Sequence, residues 1–335
     1  MNPGPLIDGV LVQWGERLFY PRTRMVKVAP PPHLAEGALH HHAGHIRQRI
    51  EATMLRRAPQ VMVKVTGGGR GMAAIAAHFR YIAKQGRLPF EDDRGVVRES
   101  KDALRDLADQ RRHGGSHIDE TNPRREAFSI MLSMPAGTDP LIVQKAAREF
   151  AQTELADHRY VMVLHDHQAN PHVHLSVRAE SKHGKRLNPR KADLHRWRET
   201  FADKLRGWGV EAEATRQATR GEQRRYATLW QVKAEQEGRF HKPHAESKSG
   251  DKAKVNRTQA MLAWAHVTQA LAGSDQPENK KLAEAIVRHV RQMPHFVEAH
   301  RARQREQGGQ RELPGVSPVQ IDPRTSARSG PEIQR

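Results

Sequence analysis

Apolar and polar positions recur with clear periods only between about residues 60 and 209, and that stretch sets the expected elements. The run "VMVKV" from Val61 alternates as a strand, "TGGGRG" reads as a flexible turn, and "MAAIAAHFRYIAKQG" keeps helical spacing until Gly86 stops it. A polar linker of mixed charge follows through residue 125. "FSIMLSM" is a second strand, closed by Pro135 and Gly137. Asp139 then caps a helix from Pro140 to about Ala156, with Ile142, Ala146 and Phe150 on one face. "YVMVLHDH" and "HVHLSVRA" are two more strands joined by a tight loop, Gln168 to Pro171, and an amphipathic helix spans about Lys191 to Trp208 before Gly209 ends it. The order β-α-β-α-β-β-α contains an antiparallel hairpin, which argues against a doubly wound fold. It predicts an α+β fold with a central, largely antiparallel sheet and flanking helices.

Outside that stretch the pattern fades. Residues 1–58 carry a proline run, Ala29 to Pro32, and the polar cluster His40, His41 and His42, with one short helix expected from about Ile46 to Arg57. Beyond Tyr226 the chain is polar and helix-prone, with lysine-rich breaks near 242–256 and a Pro/Gly/Ser-rich end after 307. The expected division is an N-terminal extension over 1–58, a compact domain over 59–230, and a basic, partly helical tail over 231–335 with a disordered C terminus.

Charge narrows the function. A formal +18 on 335 residues, spread over all three stretches, attracts polyanions: nucleic acid first, acidic membrane surfaces second. The absence of cysteine excludes disulfides, cysteine zinc sites and a cysteine nucleophile. No stretch of eighteen apolar residues and no signal-peptide pattern occurs, so a soluble, cytoplasmic protein without membrane insertion is expected.

Candidate chemistry concentrates in "HDHQANPHVHLSV", His165 to Val177. Alternate residues of a strand share a face, so His172 and His174 point together while Val173, Leu175 and Val177 point into a core. If the loop holds four residues, His167 stands opposite His172 and His165 opposite His174. In the other register Asp166 stands opposite His172 and a carboxylate joins the cluster. Either way neighbouring strands offer several ligands to one ion, and neutral imidazole suits zinc, copper, nickel and iron, or manganese and magnesium with oxygen donors. Of the four tyrosines, Tyr160 starts an apolar strand. Tyr81 lies off the stripe formed by Met72, Ile75, Ala76, Phe79 and Ile82, which leaves an aromatic ring outside the core face.

Taken together, "GGGRGMAAIAAHFRYIAKQGRL", "HDHQANPHVHLSV" and the downstream "GKRLNPRKADLHRWRETFADKLRGWGVEAEATRQATRG" resemble the conjugative relaxases of the plasmid-mobilisation type, within the histidine-hydrophobe-histidine endonuclease class. The resemblance covers roughly residues 60–225. It implies a metal-dependent, site-specific single-strand nickase whose tyrosine, here Tyr81, attacks a phosphodiester at an origin of transfer and becomes linked to the 5′ phosphate. His165, His172 and His174 would then bind the divalent ion, Mg2+ or Mn2+ with Zn2+ as an alternative. Members of this type commonly carry an aspartate two residues after the first histidine. Here that place is His167 and the acid is Asp166, so the role of orienting a ligand or assisting the phenol lies between those two. Ser133 falls where the family uses a serine in DNA contact. Lys185, Arg186, Arg190 and Lys191 follow the histidine strand and can neutralise phosphates beside it, with Arg220, Arg224 and Arg225 extending the track. Expected partners are single-stranded or supercoiled DNA at an origin of transfer, accessory relaxosome proteins and a coupling protein. The rival readings are a replication-initiation or transposition nuclease of the same chemistry, and a non-catalytic DNA-binding relaxosome protein with a structural ion. A structural site would be closed by four protein ligands, whereas a catalytic one keeps a position open.

Overall fold

The computed structural model describes residues 4–20, 36–113, 118, 120, 123–222, 234–235, 237–239, 250–294, 296–298 and 300–301. Its centre is a six-stranded antiparallel sheet in the order β1-β4-β6-β5-β2-β3. The strands are β1 (Met62–Gly67), β2 (Phe90–Asp92), β3 (Val97–Arg98), β4 (Ala127–Ser133), β5 (His158–His165) and β6 (His172–Ser181). The expected α+β class and the antiparallel hairpin are therefore present.

Both faces of the sheet are covered. On one, Val63, Ile130, Leu132, Met162, Val173, Leu175 and Val177 pack with Phe150 of α6 (Pro140–Glu154) and with Trp197 and Phe201 of α7 (Lys191–Gly207). Helix α6 starts as expected, with the Asp139 carboxylate accepting from the Leu141 amide at 2.8 Å and Pro140 in the first turn. The other face presents Ala127, Val161 and Val163 to Met72, Ile75, Phe79 and Ile82 of α4 (Met72–Ile82) and to Leu104 and Leu107 of α5 (Lys101–His113). The "TGGGRG" turn lets α4 lie close. Gly69 accepts from the amides of Glu126 and Ala127, and a Cβ on Gly68 would stand 2.3 Å from the Ala127 carbonyl oxygen.

Three sequence expectations need correction. The stretch read as a polar linker through residue 125 contains β2, β3 and α5. The two strands are three and two residues long, too short for periodicity to register, and Leu104 and Leu107 are the only leucines that α5 buries. The first 58 residues are more helical than expected: α1 (Gly4–Val10), a π-helical turn (Leu11–Gly15) and α2 (Glu16–Phe19) precede α3 (Glu36–Met54), which replaces the short helix read over Ile46–Arg57. The hairpin register also differs, as described with the site below.

Helices α8 (Asp251–Ala272) and α9 (Pro277–Gln292) pack on the N-terminal helices and burial follows: Leu11, Leu18, Phe19, Ile46, Ile50, Trp264, Val267 and Leu271 are all buried. Trp14 stacks on His266 with ring centroids 3.9 Å apart, and Trp264 Nε1 donates to the Thr219 carbonyl at 2.9 Å. The proline run at 29–32, Tyr226, Arg224, Arg225 and the end after 307 lie outside the described residues.

One buried charge ties α3 to the sheet domain. Arg49, 4% exposed, donates to Glu199 of α7 at 2.9 Å and to Glu213 at 3.4 Å, with its guanidinium 4.4 Å above the Phe19 ring. Removing one partner of a buried ion pair strands the other, which costs about 3 kcal/mol or more. Arg49→Met is expected to lower the unfolding free energy by about 3 kcal/mol, read as a shift of the urea midpoint. An unchanged midpoint would mean that Glu199 and Glu213 are already solvated without the arginine.

Candidate metal and nucleophile site

Strand β5 ends at His165, and His165 stands opposite His172 across the hairpin, with Val163 opposite His174. The connection therefore holds Asp166 to Pro171, two residues more than expected, and the pairings proposed for His167 or Asp166 opposite His172 do not form. Asp166 and His167 lie instead on the exposed connection, with the His167 ring centroid 5.2 Å from that of His165. The physical reason is that opposite residues of an antiparallel pair share a face. A shift by two keeps His165, His172 and His174 on one side and moves only the end of the hairpin.

These three imidazoles converge. Ring centroids are 4.7 Å apart for His165 and His174 and 5.0 Å for both His165–His172 and His172–His174, and one ligand atom from each lies within 4.8 Å of the others. For two of the three rings the second nitrogen is also placed as metal-binding histidines require, since such a ring usually donates its other N–H to a carbonyl or carboxylate. His172 Nδ1 donates to the Asn170 carbonyl at 2.9 Å, leaving Nε2 for an ion, and His165 Nε2 donates to the Ile82 carbonyl at 2.6 Å, leaving Nδ1. The donor set, three imidazoles with room for oxygen ligands, fits a divalent cation. Burial lowers the pKa of His165 and pushes that of His174 down to about 3, the neighbouring imidazoles adding to the shift, so both rings are kept in the neutral, ligating form.

The Ile82 carbonyl also ties the end of the tyrosine's helix to the histidine cluster. Tyr81 is the residue before Ile82, and its side chain is 63% exposed while Met72, Ile75, Phe79 and Ile82 are buried, as the off-stripe position predicted. Helix α4 thus ends on the histidine cluster with its phenol outside the core. Beyond it the chain turns through three consecutive left-handed residues, Lys84 (φ 48°), Gln85 (φ 62°) and Gly86 (φ 87°). Non-glycine residues pay about 1 kcal/mol each for that conformation, which persists only where surrounding contacts hold it. Lys84 emerges from this turn close enough for its charge to act on His165. Sequence reasoning missed Lys84, and also His78, which lies one helical turn before Tyr81 with its ring stacked near-parallel at 6.5 Å. Spacing of three on a helix was the available signal for His78.

The other candidates are more dispersed. Ser133 pairs with His172 in the neighbouring strand but is buried, and its hydroxyl donates to the Pro171 carbonyl at 3.2 Å, steadying the approach to His172. Lys185 and Arg186 were expected beside the histidines. They follow the far end of β6, a ten-residue strand, which puts about 30 Å between them and His172. Arg186 is held there by Glu126 at 3.3 Å, Glu180 at 3.6 Å and the Arg125 carbonyl at 2.6 Å. Arg190 and Lys191 are exposed at the start of α7, and Arg220 pairs with Glu222 at 3.6 Å. Among the described residues no helix is long and apolar enough to cross a membrane.

The depressed pKa values give a pH dependence. An unfolded chain takes up a proton on His174 below about pH 6.5, the ordinary value, while the folded chain, with His174 at about 3 and His195 at about 4, does not. Stability of the metal-free protein therefore falls as pH drops from 6.5 towards 4. Urea unfolding across that range is expected to show a falling midpoint, less steep in His174→Leu. Equal slopes for the two proteins would mean that His174 is protonated in the folded state.

Comparison with known proteins agrees with this geometry. Residues 83–209 match the sequence profile of the family described as "Relaxase: MobA/VirD2-like, nuclease domain". That segment contains β2 to β6, α5 to α7 and all three clustered histidines, and begins two residues after Tyr81. A search of curated proteins found no match to the chain. With the histidine-bearing hairpin, the antiparallel sheet and the helices on both its faces inside or beside the matched segment, residues 83–209 are a relaxase nuclease domain of the MobA/VirD2-like family.

Proposed function

We propose that the chain nicks one DNA strand at a plasmid origin of transfer and later rejoins or transfers it, with residues 59–230 as the catalytic unit, Tyr81 as nucleophile and His165, His172 and His174 as ligands of a divalent cation. The observation that carries the reading is the 2.6 Å contact between the Ile82 carbonyl and His165, which seats the end of the tyrosine's helix on the histidine cluster. Mg2+ or Mn2+, with Zn2+ as the alternative, would supply charge stabilisation at the scissile phosphate.

The chain's own groups account for the remaining steps. The Tyr81 oxygen forms a bond to phosphorus, its proton passes to an acceptor, and the bond from phosphorus to the 3′ oxygen breaks, so that oxygen leaves as a hydroxyl once protonated. Asp166 and His167 would take and return the proton, a role supported by their exposure beside His165. The new phosphotyrosine stores the energy of the cleaved bond, so a 3′ hydroxyl can reverse the reaction without a nucleotide. Lys185, Arg186, Arg190, Lys191 and Arg220, with Ser133 near His172, would bind the DNA backbone. The length of β6 favours contacts of Lys185 and Arg186 with phosphates well away from the cut. Accessory relaxosome proteins and a coupling protein complete the expected assembly in conjugative mobilisation.

Two measurements test this. Tyr81→Phe removes one oxygen from an exposed ring, so folding and DNA affinity are expected to persist while covalent attachment disappears. Mass spectrometry of the peptide left on the 5′ end of a cleaved origin oligonucleotide should place the nucleotide on Tyr81, and its appearance on Tyr20, Tyr160 or Tyr226 would refute the assignment. His172→Ala is expected to abolish cleavage with little loss of DNA affinity, because the phosphate-binding charges lie elsewhere. Cleavage at the wild-type rate by that variant would remove the metal from the mechanism.

A further inference from the structure

Two of the three clustered histidines satisfy their second ring nitrogen on a backbone carbonyl, and the third does not. His174 Nδ1 is sealed from solvent with no hydrogen-bond partner, and the same is true of His78 Nδ1 on α4. A buried ring nitrogen left unpaired costs about 1–3 kcal/mol, so two such atoms in one neighbourhood call for an explanation. They share that neighbourhood: α4 packs on β6, and the charge of His78 acts on His174.

We propose that His78 is the positioning residue that joins the tyrosine's helix to the metal centre, its Nδ1 accepting a hydrogen bond from the Nδ1–H of His174 when His174 binds the ion through Nε2. The inference rests on the metal reading given above. It satisfies both orphaned atoms at once and gives His174 the same kind of support that Asn170 and Ile82 give His172 and His165. It also assigns His78 a second contact with consequence: its ring lies against Tyr81 at 6.5 Å, one turn along the helix. Metal binding would then tighten the strand and the helix together, and the phenol would be held by the same residue that orients a ligand.

The test compares two substitutions in the full chain. His78→Phe keeps an aromatic ring beside Tyr81 and removes the acceptor, whereas His78→Asn offers a side-chain oxygen near the place of Nδ1. Calorimetric titration with Co2+ is expected to show affinity reduced about 10- to 100-fold in His78→Phe and restored to within a few-fold of wild type in His78→Asn. Circular dichroism and thermal melting of each metal-free variant establish that it is folded. His172→Ala, titrated alongside, separates the two claims. Loss of Co2+ binding there with wild-type affinity in folded His78→Phe would overturn the role of His78 alone, while unchanged binding in His172→Ala would overturn the metal site itself. Equal losses in folded Phe and Asn variants, or an Asn variant that is the only one to lose affinity, would also overturn the proposal, since the acceptor would then not be what matters. Should His78→Phe fail to fold, wild-type affinity in His78→Asn supports the role and a loss of tenfold or more in that folded variant rejects it.

Discussion

His165 stands opposite His172 because the turn between their strands holds six residues, and the rest of the site depends on that register. In an antiparallel pair, opposite residues share a face and consecutive residues of a strand do not, so one pairing settles many positions at once. With His165, His172 and His174 on one side, Val173, Leu175 and Val177 must fill the other, where Phe150, Trp197 and Phe201 close over them. A slip of one residue would send the imidazoles into that packed layer and the valines onto the opposite face. The cost of burying unpaired imidazoles in an apolar core and exposing three aliphatic side chains makes the register hard to change. The histidine cluster is thus held by the core.

Helix α4 meets the same constraint from above. Its stripe of Met72, Ile75, Phe79 and Ile82 packs on Val161 and Val163, the latter paired with His174, so the rotation of the helix about its axis is set by burial. That rotation turns Tyr81 outward and His78 towards the histidine strand. The left-handed turn over Lys84, Gln85 and Gly86 then carries the chain away into β2, and a Cβ on Gly86 would come within 2.4 Å of the Ser100 carbonyl carbon. Left-handed backbone three residues beyond Tyr81 persists where surrounding contacts hold it. The histidine strand and the placement of Tyr81 therefore share one packed interface.

The helices on either side of the sheet domain in sequence add a separate layer of support. Arg49 reaches Glu199 and Glu213 from α3, and Arg216 and Thr219 return contacts to the carbonyl of Leu18. Residues distant along the chain thereby enclose one another, and none of these partners lies within the histidine cluster. The segment that matches the relaxase family ends at residue 209, before several of these contacts are made.

Local pattern was enough for the strands β1, β4, β5 and β6, for helices α4, α6 and α7, for the grouping of His172 with His174, and for an outward Tyr81. Each of these follows from periodicity within a single element, and periodicity is a property of neighbouring residues. The count of residues in the hairpin turn was not available in that way, because Asp166 and His167 continue the polar alternation that a longer β5 would show. Only pairing with β6 ended the strand at His165. Strands β2 and β3 were invisible for a related reason: five residues in all cannot display a period, and they are strands because β5 offers an edge to β2 and β2 offers one to β3. The same holds for His78 and Lys84, whose significance comes from what lies across the interface, and for Lys185 and Arg186, which are near the histidines in sequence yet separated from them by the length of a strand. The sequence by itself determined which residue types were available and on which face of each element they stood. Tertiary structure alone decided which of those faces meet, because contact between elements depends on register and packing that no single element contains.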